Sequence, residues 1–127
     1  MYTLHIEAES KRVVTTWGRT VTDQSLLDYQ QDVWSDPALQ GFDELIDFRA
    51  LEKIEVSTAG LEAVAAVAAR MDDAAHQSRF AIVVGSTFSY GLSRMYESMR
   101  SLNESSVREV MVFKDMDEAR AWLDAPR

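Results

Sequence analysis

Twice in this chain, hydroxyl-bearing residues run into a glycine–leucine pair: Ser57-Thr58-Ala59-Gly60-Leu61, and Ser86-Thr87-Phe88-Ser89-Tyr90-Gly91-Leu92. Each stretch follows an apolar extended run and opens a segment with helical periodicity. The first turn of a helix offers unpaired N–H groups and a partial positive charge, so it suits an anion or a phosphorylated hydroxyl. Ser57 or Thr58, and Ser86 or Thr87, serve equally well as simple helix caps. Glycine in a helix costs about 1 kcal/mol against alanine, so Gly60 and Gly91 need a reason. Close approach of another element is one; close approach of a ligand is the other.

Other chemistry is sparse. Asp47 lies inside an apolar strand, with Arg49 on the same face by the period of two. A part-buried carboxylate needs a partner, and Arg49 or the N–H groups of the next helix supply one. Arg94, one turn inside its helix, can reach over the site edge toward an anion or pair with Glu97 or Ser98 on the solvent side. His5 and His76 are the only histidines, and there is no cysteine. No metal-ligand spacing appears, and no cofactor is expected. A nucleophile elbow of the form G-x-S-x-G is missing. Asp72, Asp73, Asp115, Asp117 and Glu118 read as helix ends and solvated faces. Catalysis is therefore not expected.

The 127 residues fit one domain spanning the whole chain, and 46% hydrophobic content supports a globular fold. A formal charge of −8 with scattered bases argues against nucleic acid. No apolar run approaches the ~20 residues of a membrane span. The opening "MYTLHIEAES" is too short and polar for a secretory signal, so a cytoplasmic protein is expected.

The elements that must position these residues follow from periodicity. Tyr2–Ala8 alternates, and Arg12–Trp17 is β-branched up to Gly18, which predicts a hairpin. Thr22 caps a helix to about Ser35, and "SDPALQG" ends it. Glu44–Phe48 is a short strand, "RALEKIEV" reads as a loop, and an alanine-rich helix runs to about Asp73. "FAIVV", Phe80–Val84, suits a central parallel strand covered on both faces. Phe88, Leu92, Met95, Tyr96, Met99 and Leu102 mark a helical stripe. Val107–Phe113 is the last strand, and Asp115, with Glu118 as capping-box partner, opens the last helix before a fraying "DAPR". The order β-β-α-β-α-β-α-β-α predicts an α/β fold, with an antiparallel opening hairpin, parallel strands and flanking helices.

The segment "DELIDFRALEKIEVSTAGLEAVAAV" resembles the central signature of the STAS family, the domain of anti-sigma-factor antagonists and sulfate transporters. There a strand "hhhDh" precedes a loop and "D-S-S-G-L" opening a helix. Ile46-Asp47-Phe48 match the strand, and Ser57-Thr58-Ala59-Gly60-Leu61 the helix opening. "RFAIVVGSTFSYGLSRMYE" and "VREVMVFKDMDEARAWL" look like the SpoIIAA-like branch of small bacterial proteins. The resemblance implies a STAS-like mixed sheet and a non-enzymatic regulatory module that binds a protein partner. It also implies control by phosphorylation at the position of Thr58, although Ser57 and Ala59 replace the flanking acid and second serine. SEC14-like relatives imply another use, a pocket for a small anionic or lipid-like ligand. Here that pocket would lie between the third helix (Leu92, Met95, Tyr96, Met99) and the sheet. The binding surface expected on either reading gathers Asp47, Ser57, Thr58, Gly60, Ser86, Thr87, Gly91 and Arg94. The alanine-rich helix, with Glu62 and Arg70 as its charged residues, is expected to meet a protein partner or a second copy in a homodimer, unless its alanines are simply tolerated in water.

Overall fold

The computed structural model describes residues 1–72 and 76–127. Its elements are β1 (Tyr2–Glu7), β2 (Arg12–Trp17), β3 (Thr20–Thr22), α1 (Asp23–Trp34), a 3-10 turn (Pro37–Leu39), β4 (Asp43–Phe48), β5 (Lys53–Glu55), α2 (Thr58–Met71), β6 (Arg79–Val84), α3 (Thr87–Ser101), β7 (Glu109–Phe113) and α4 (Met116–Asp124). The main sheet has the order β1-β2-β4-β6-β7. β1 pairs antiparallel with β2, and every other neighbour in this sheet is parallel. The mixed sheet with an antiparallel hairpin at one edge is the architecture read from the sequence.

Alternation along the strands sorts the core into two layers. Glu44, Ile46 and Phe48 of β4 face the same way as Phe80, Ile82 and Val84 of β6, toward α1, α2 and α3. Leu45, Ala81 and Val83 face the other way and meet only Ala119 and Leu123 of α4 among the buried helical residues. β6 is buried on both faces, as its unbroken apolar run requires.

Two strands escape the period-of-two reading. β3 and β5 have three residues each and pair in parallel, Val21 beside Ile54, as a separate ribbon. Neither is long enough to show an alternation, and the ribbon exists because Glu52 and Lys53 donate their N–H groups to the Arg19 carbonyl. The stretch read as a loop thus contains β5. β7 starts at Glu109 rather than Val107, because the Val107 and Arg108 N–H groups go to the Asp72 carboxylate at 3.0 and 3.1 Å instead of to the sheet. The chain end does not fray. Arg79 donates to the Trp122, Ala125 and Pro126 carbonyls at 2.6, 3.1 and 3.2 Å, and Arg127 is bonded to the buried Asp43 carboxylate. The expected end of α2 near Asp73 lies outside the described residues.

Candidate functional site

Thr22 caps α1, with Ser25 returning the bond, and so fixes the position of Asp23. That carboxylate reaches the mouth of α2. It accepts from the Ser57 N–H at 2.9 Å and from the Ser57 hydroxyl at 2.7 Å. The Ser57 oxygen in turn caps α2 by accepting from the Gly60 N–H at 3.0 Å. A methyl group at Gly60 would overlap the Asp23 carboxylate. The glycine is therefore explained by close approach, and the anion that the helix dipole favours is supplied by the chain itself. Thr58, next along, is exposed, and its hydroxyl has no hydrogen bond among the described residues.

The mouth of α3 is built differently. Ser86 caps it by accepting from the Ser89 N–H at 3.1 Å, and the two hydroxyls lie 2.8 Å apart. Thr87 and Gly91 are exposed, and nothing lies within 4 Å of where a Gly91 methyl would sit. β4 and β6 run side by side, with Phe48 opposite Val84, so their exits share the carboxyl edge of the sheet, where open α/β sheets place their sites. There Gly85 lets the chain pass Arg49, whose carbonyl would lie 2.8 Å from an added methyl. Asp47 sits beside this crossing and is bonded by Arg49 through the backbone N–H, Nε and Nη2 at 3.0, 3.0 and 2.9 Å. Burial pushes the Asp47 carboxyl up, but the Arg49 bonds outweigh it and hold it below the usual range. The expected site therefore splits. Asp47, Ser86, Thr87 and Gly91 belong to the exits of β4 and β6. Ser57, Thr58 and Gly60 are drawn toward α1, because β5 intervenes before α2. Arg94 faces solvent, with Tyr90 at 3.0 Å and Glu97 at 3.3 Å.

The stripe read along α3 also divides. Tyr96 is buried and Leu92 and Met99 are half-buried, whereas Phe88, Met95 and Leu102 are 62%, 39% and 84% exposed. The buried side carries instead Ser89, Ser93, Tyr96 and Arg100, a polar series at helical spacing. Beside it is a cavity of about 70 Å³ under α1, α2 and α3, roofed in part by the β3–β5 ribbon through Val21 and Ile54. Leu92 and Tyr96 line it; Met95 and Met99 do not, since one turns to solvent and the other to a shallow groove between α2 and α3. Among the described residues, neither the Ser93 hydroxyl nor the Gln30 side-chain oxygen, both on the cavity wall, has a hydrogen-bond donor or acceptor.

Polar pairs hold the opposite, amino end of the sheet, and one of their members, Asp72, was expected on a solvated face but has its carboxylate buried against Arg100. Arg100, 2% exposed, donates both Nη2 bonds to Asp72 at 2.8 and 2.7 Å and a third to the Tyr96 hydroxyl at 2.9 Å. Glu44 accepts from Tyr29 at 2.7 Å and Arg108 at 2.8 Å. Burial pushes the Glu44 carboxyl up against the opposing pull of Arg108. Strand parity was the available signal, since Glu44 shares the face of Ile46 and Phe48. Among the described residues no group of histidine, cysteine, aspartate and glutamate could hold a metal ion, and no helix is long and apolar enough to cross a membrane.

No protein-family model matches the sequence, and no curated protein matches it. The structure is similar to the crystal structure of an uncharacterized protein of the DUF3478 family, with a SpoIIAA-like fold, from Shewanella loihica PV-4. The TM-score is 0.59 at 14% identity, covering 97% of this chain and 92% of the other. The fold is thus SpoIIAA-like, as the resemblance in the sequence implies.

Proposed function

We propose that the protein is a non-enzymatic regulatory module that docks a protein partner on the outer face of α3 and its groove with α2. The observation that carries this is the exposed apolar stripe Phe88, Met95 and Leu102, with Gly91 leaving bare backbone between the first two. Angles of 100° per residue place these side chains on one flank of the helix. Ala66 and Met99 floor the adjoining groove, and Glu62 and Glu104 edge it. An amphipathic helix laid in such a groove buries its apolar side and needs no nucleophile or metal. Phosphorylation of Thr58 fits this reading with a defined sign. The α2 mouth already holds Asp23, so a phosphate there repels that carboxylate and loosens the Ser57 contact rather than ordering it.

The test is partner capture and binding with Phe88→Glu and Leu102→Glu. Both sites are exposed, so the fold should persist while partner affinity falls at least tenfold. Unchanged affinity in both variants removes the reading. Thr58→Glu is expected to weaken binding less.

A second reading rests on the lone Gln30 oxygen and Ser93 hydroxyl in the cavity. They suit a small, mostly apolar, neutral ligand with one hydrogen-bonding group. Glu44 on the wall disfavours an anion, and about 70 Å³ is below the ~150 Å³ that admits benzene. Native mass spectrometry that finds only the bare chain in wild type, as in Ser93→Leu, ends this reading.

A further inference from the structure

β1 stands at the edge of the main sheet, with only β2 beside it among the described residues. Natural edge strands are commonly blunted by lysine, proline, a bulge or an inward charge. β1, Tyr-Thr-Leu-His-Ile-Glu, has no lysine, proline or bulge, and its register with β2 is unbroken from Tyr2 to Glu7. Its one charged residue, Glu7, lies on the opposite face from Leu4 and is paired with Arg12 and Arg120. The face toward α1 is apolar, and only its first residue is covered. Tyr2 packs on Trp17 and Tyr29 at ring separations of 5.0 and 5.2 Å, but Leu4 and Ile6 are 47% and 42% exposed. Tyr29 brings α1 onto Tyr2, and one residue before it and three after it on that helix stand two exposed acids, Asp28 and Asp32. Both act on the Tyr2 hydroxyl, which burial first and then these two carboxylates raise.

We infer that the open edge of β1 accepts an extended segment of a partner protein as a further strand, and that this segment is basic. An added strand satisfies the outward backbone groups of β1. Its residues on the α1 side lie beside Leu4 and Ile6. Lysine or arginine there lays its aliphatic stem on those two side chains and reaches Asp28 and Asp32 with its charged end. A second copy of this chain is the poorer occupant. A symmetric antiparallel pairing keeps like faces together, so it joins Leu4 and Ile6 across the axis, but it also brings together two α1 acid pairs and two chains of −8. This surface is separate from the α3 stripe and stands or falls without it.

The test uses the full chain labelled with ¹⁵N and two short blocked peptides, one alternating lysine with threonine and one alternating glutamate with threonine. The lysine peptide should bind saturably, shift the amide signals of Thr3–Glu7 most, and weaken as salt is raised. The glutamate peptide should not bind. Leu4→Lys with Ile6→Lys, which places gatekeeper charges on exposed positions, should reduce affinity at least tenfold. Leu4→Thr with Ile6→Thr keeps strand propensity and serves if the lysine variant loses its fold. Asp28→Asn with Asp32→Asn should flatten the salt dependence while leaving the site of the shifts in place. Equal binding of both peptides, shifts centred away from β1, or lysine-peptide affinity unchanged in the Leu4/Ile6 variants overturns the inference. So does a β1-dependent homodimer that excludes the peptide.

Discussion

The mouths of α2 and α3 are close relatives in sequence and opposites in construction. Both begin with a capping serine, and both carry glycine before leucine. At α2, a carboxylate from α1 fills the space in front of the helix, and Gly60 is glycine because Asp23 lies against it. At α3, Ser86 and Ser89 satisfy each other, and among the described residues nothing beyond its own helix comes within 4 Å of where a Gly91 methyl would sit. The same local pattern therefore has an internal cause in one place and none in the other. A glycine whose neighbour is visible is accounted for by packing; packing does not account for one with open space over it.

Substitutions at the two mouths sharpen or break this contrast. Gly60→Ala should force Asp23 out and forfeit its charged hydrogen bonds to Ser57, a loss of about 1–3 kcal/mol on chemical denaturation. The penalty should shrink when Asp23→Ala is already present, as a double-mutant cycle reads. Equal penalties in both backgrounds would mean that Asp23 is not the reason for Gly60. Ser57→Ala should cost about 1 kcal/mol or somewhat more, since it removes a cap and also half of the contact to Asp23. Gly91→Ala should act with the opposite sign. It raises stability by roughly 0.5–1 kcal/mol, because a helix gains alanine where space is open. A destabilised Gly91→Ala protein would show that the α3 mouth is as constrained as the other.

The smallest effect is a pH dependence at the edge between the mouths. The Asp47 carboxyl is held below its ordinary 3.8 in the folded state. Its contribution is complete above that value and lost as pH falls through the lower, folded one. Asp47→Asn should therefore flatten the acid side of the stability–pH curve below about pH 4 by a fraction of a kcal/mol, with Arg49 half in solvent to screen the pair. Urea midpoints measured across that range check it.

Much of the frame was legible in the residues. The run Phe80–Val84 had to be covered on both faces, and the alternation in Tyr2–Ala8 announced an edge strand with one wet face, although Leu4 and Ile6 on its other face are exposed as well. Thr22, Ser57 or Thr58, Ser86 or Thr87, and Asp115 announced four helix starts, and the structure uses Thr22, Ser57, Ser86 and Asp115. The pairing of Asp47 with Arg49 also followed from strand parity. Illegible were β3 and β5, whose three residues give no period, and the pinned chain end, which depends on Arg79 and Asp43 far away in sequence. The amino-end pairs Asp72–Arg100 and Glu44–Arg108 were equally hidden, because an ion pair between distant residues leaves no local spacing to read.

The division in α3 shows the boundary most plainly. Sequence by itself determined that a helix runs from about residue 88 to 102 and that its apolar residues recur along one side, since periodicity and capping are short-range properties of the backbone. It could not say which part of that broad apolar arc would be covered. The tertiary structure decided it, by setting the polar series Ser89, Ser93, Tyr96 and Arg100 against the core and the buried Asp72, and leaving Phe88, Met95 and Leu102 outside. The choice between two flanks of one helix depends on the partners that the rest of the chain brings to it.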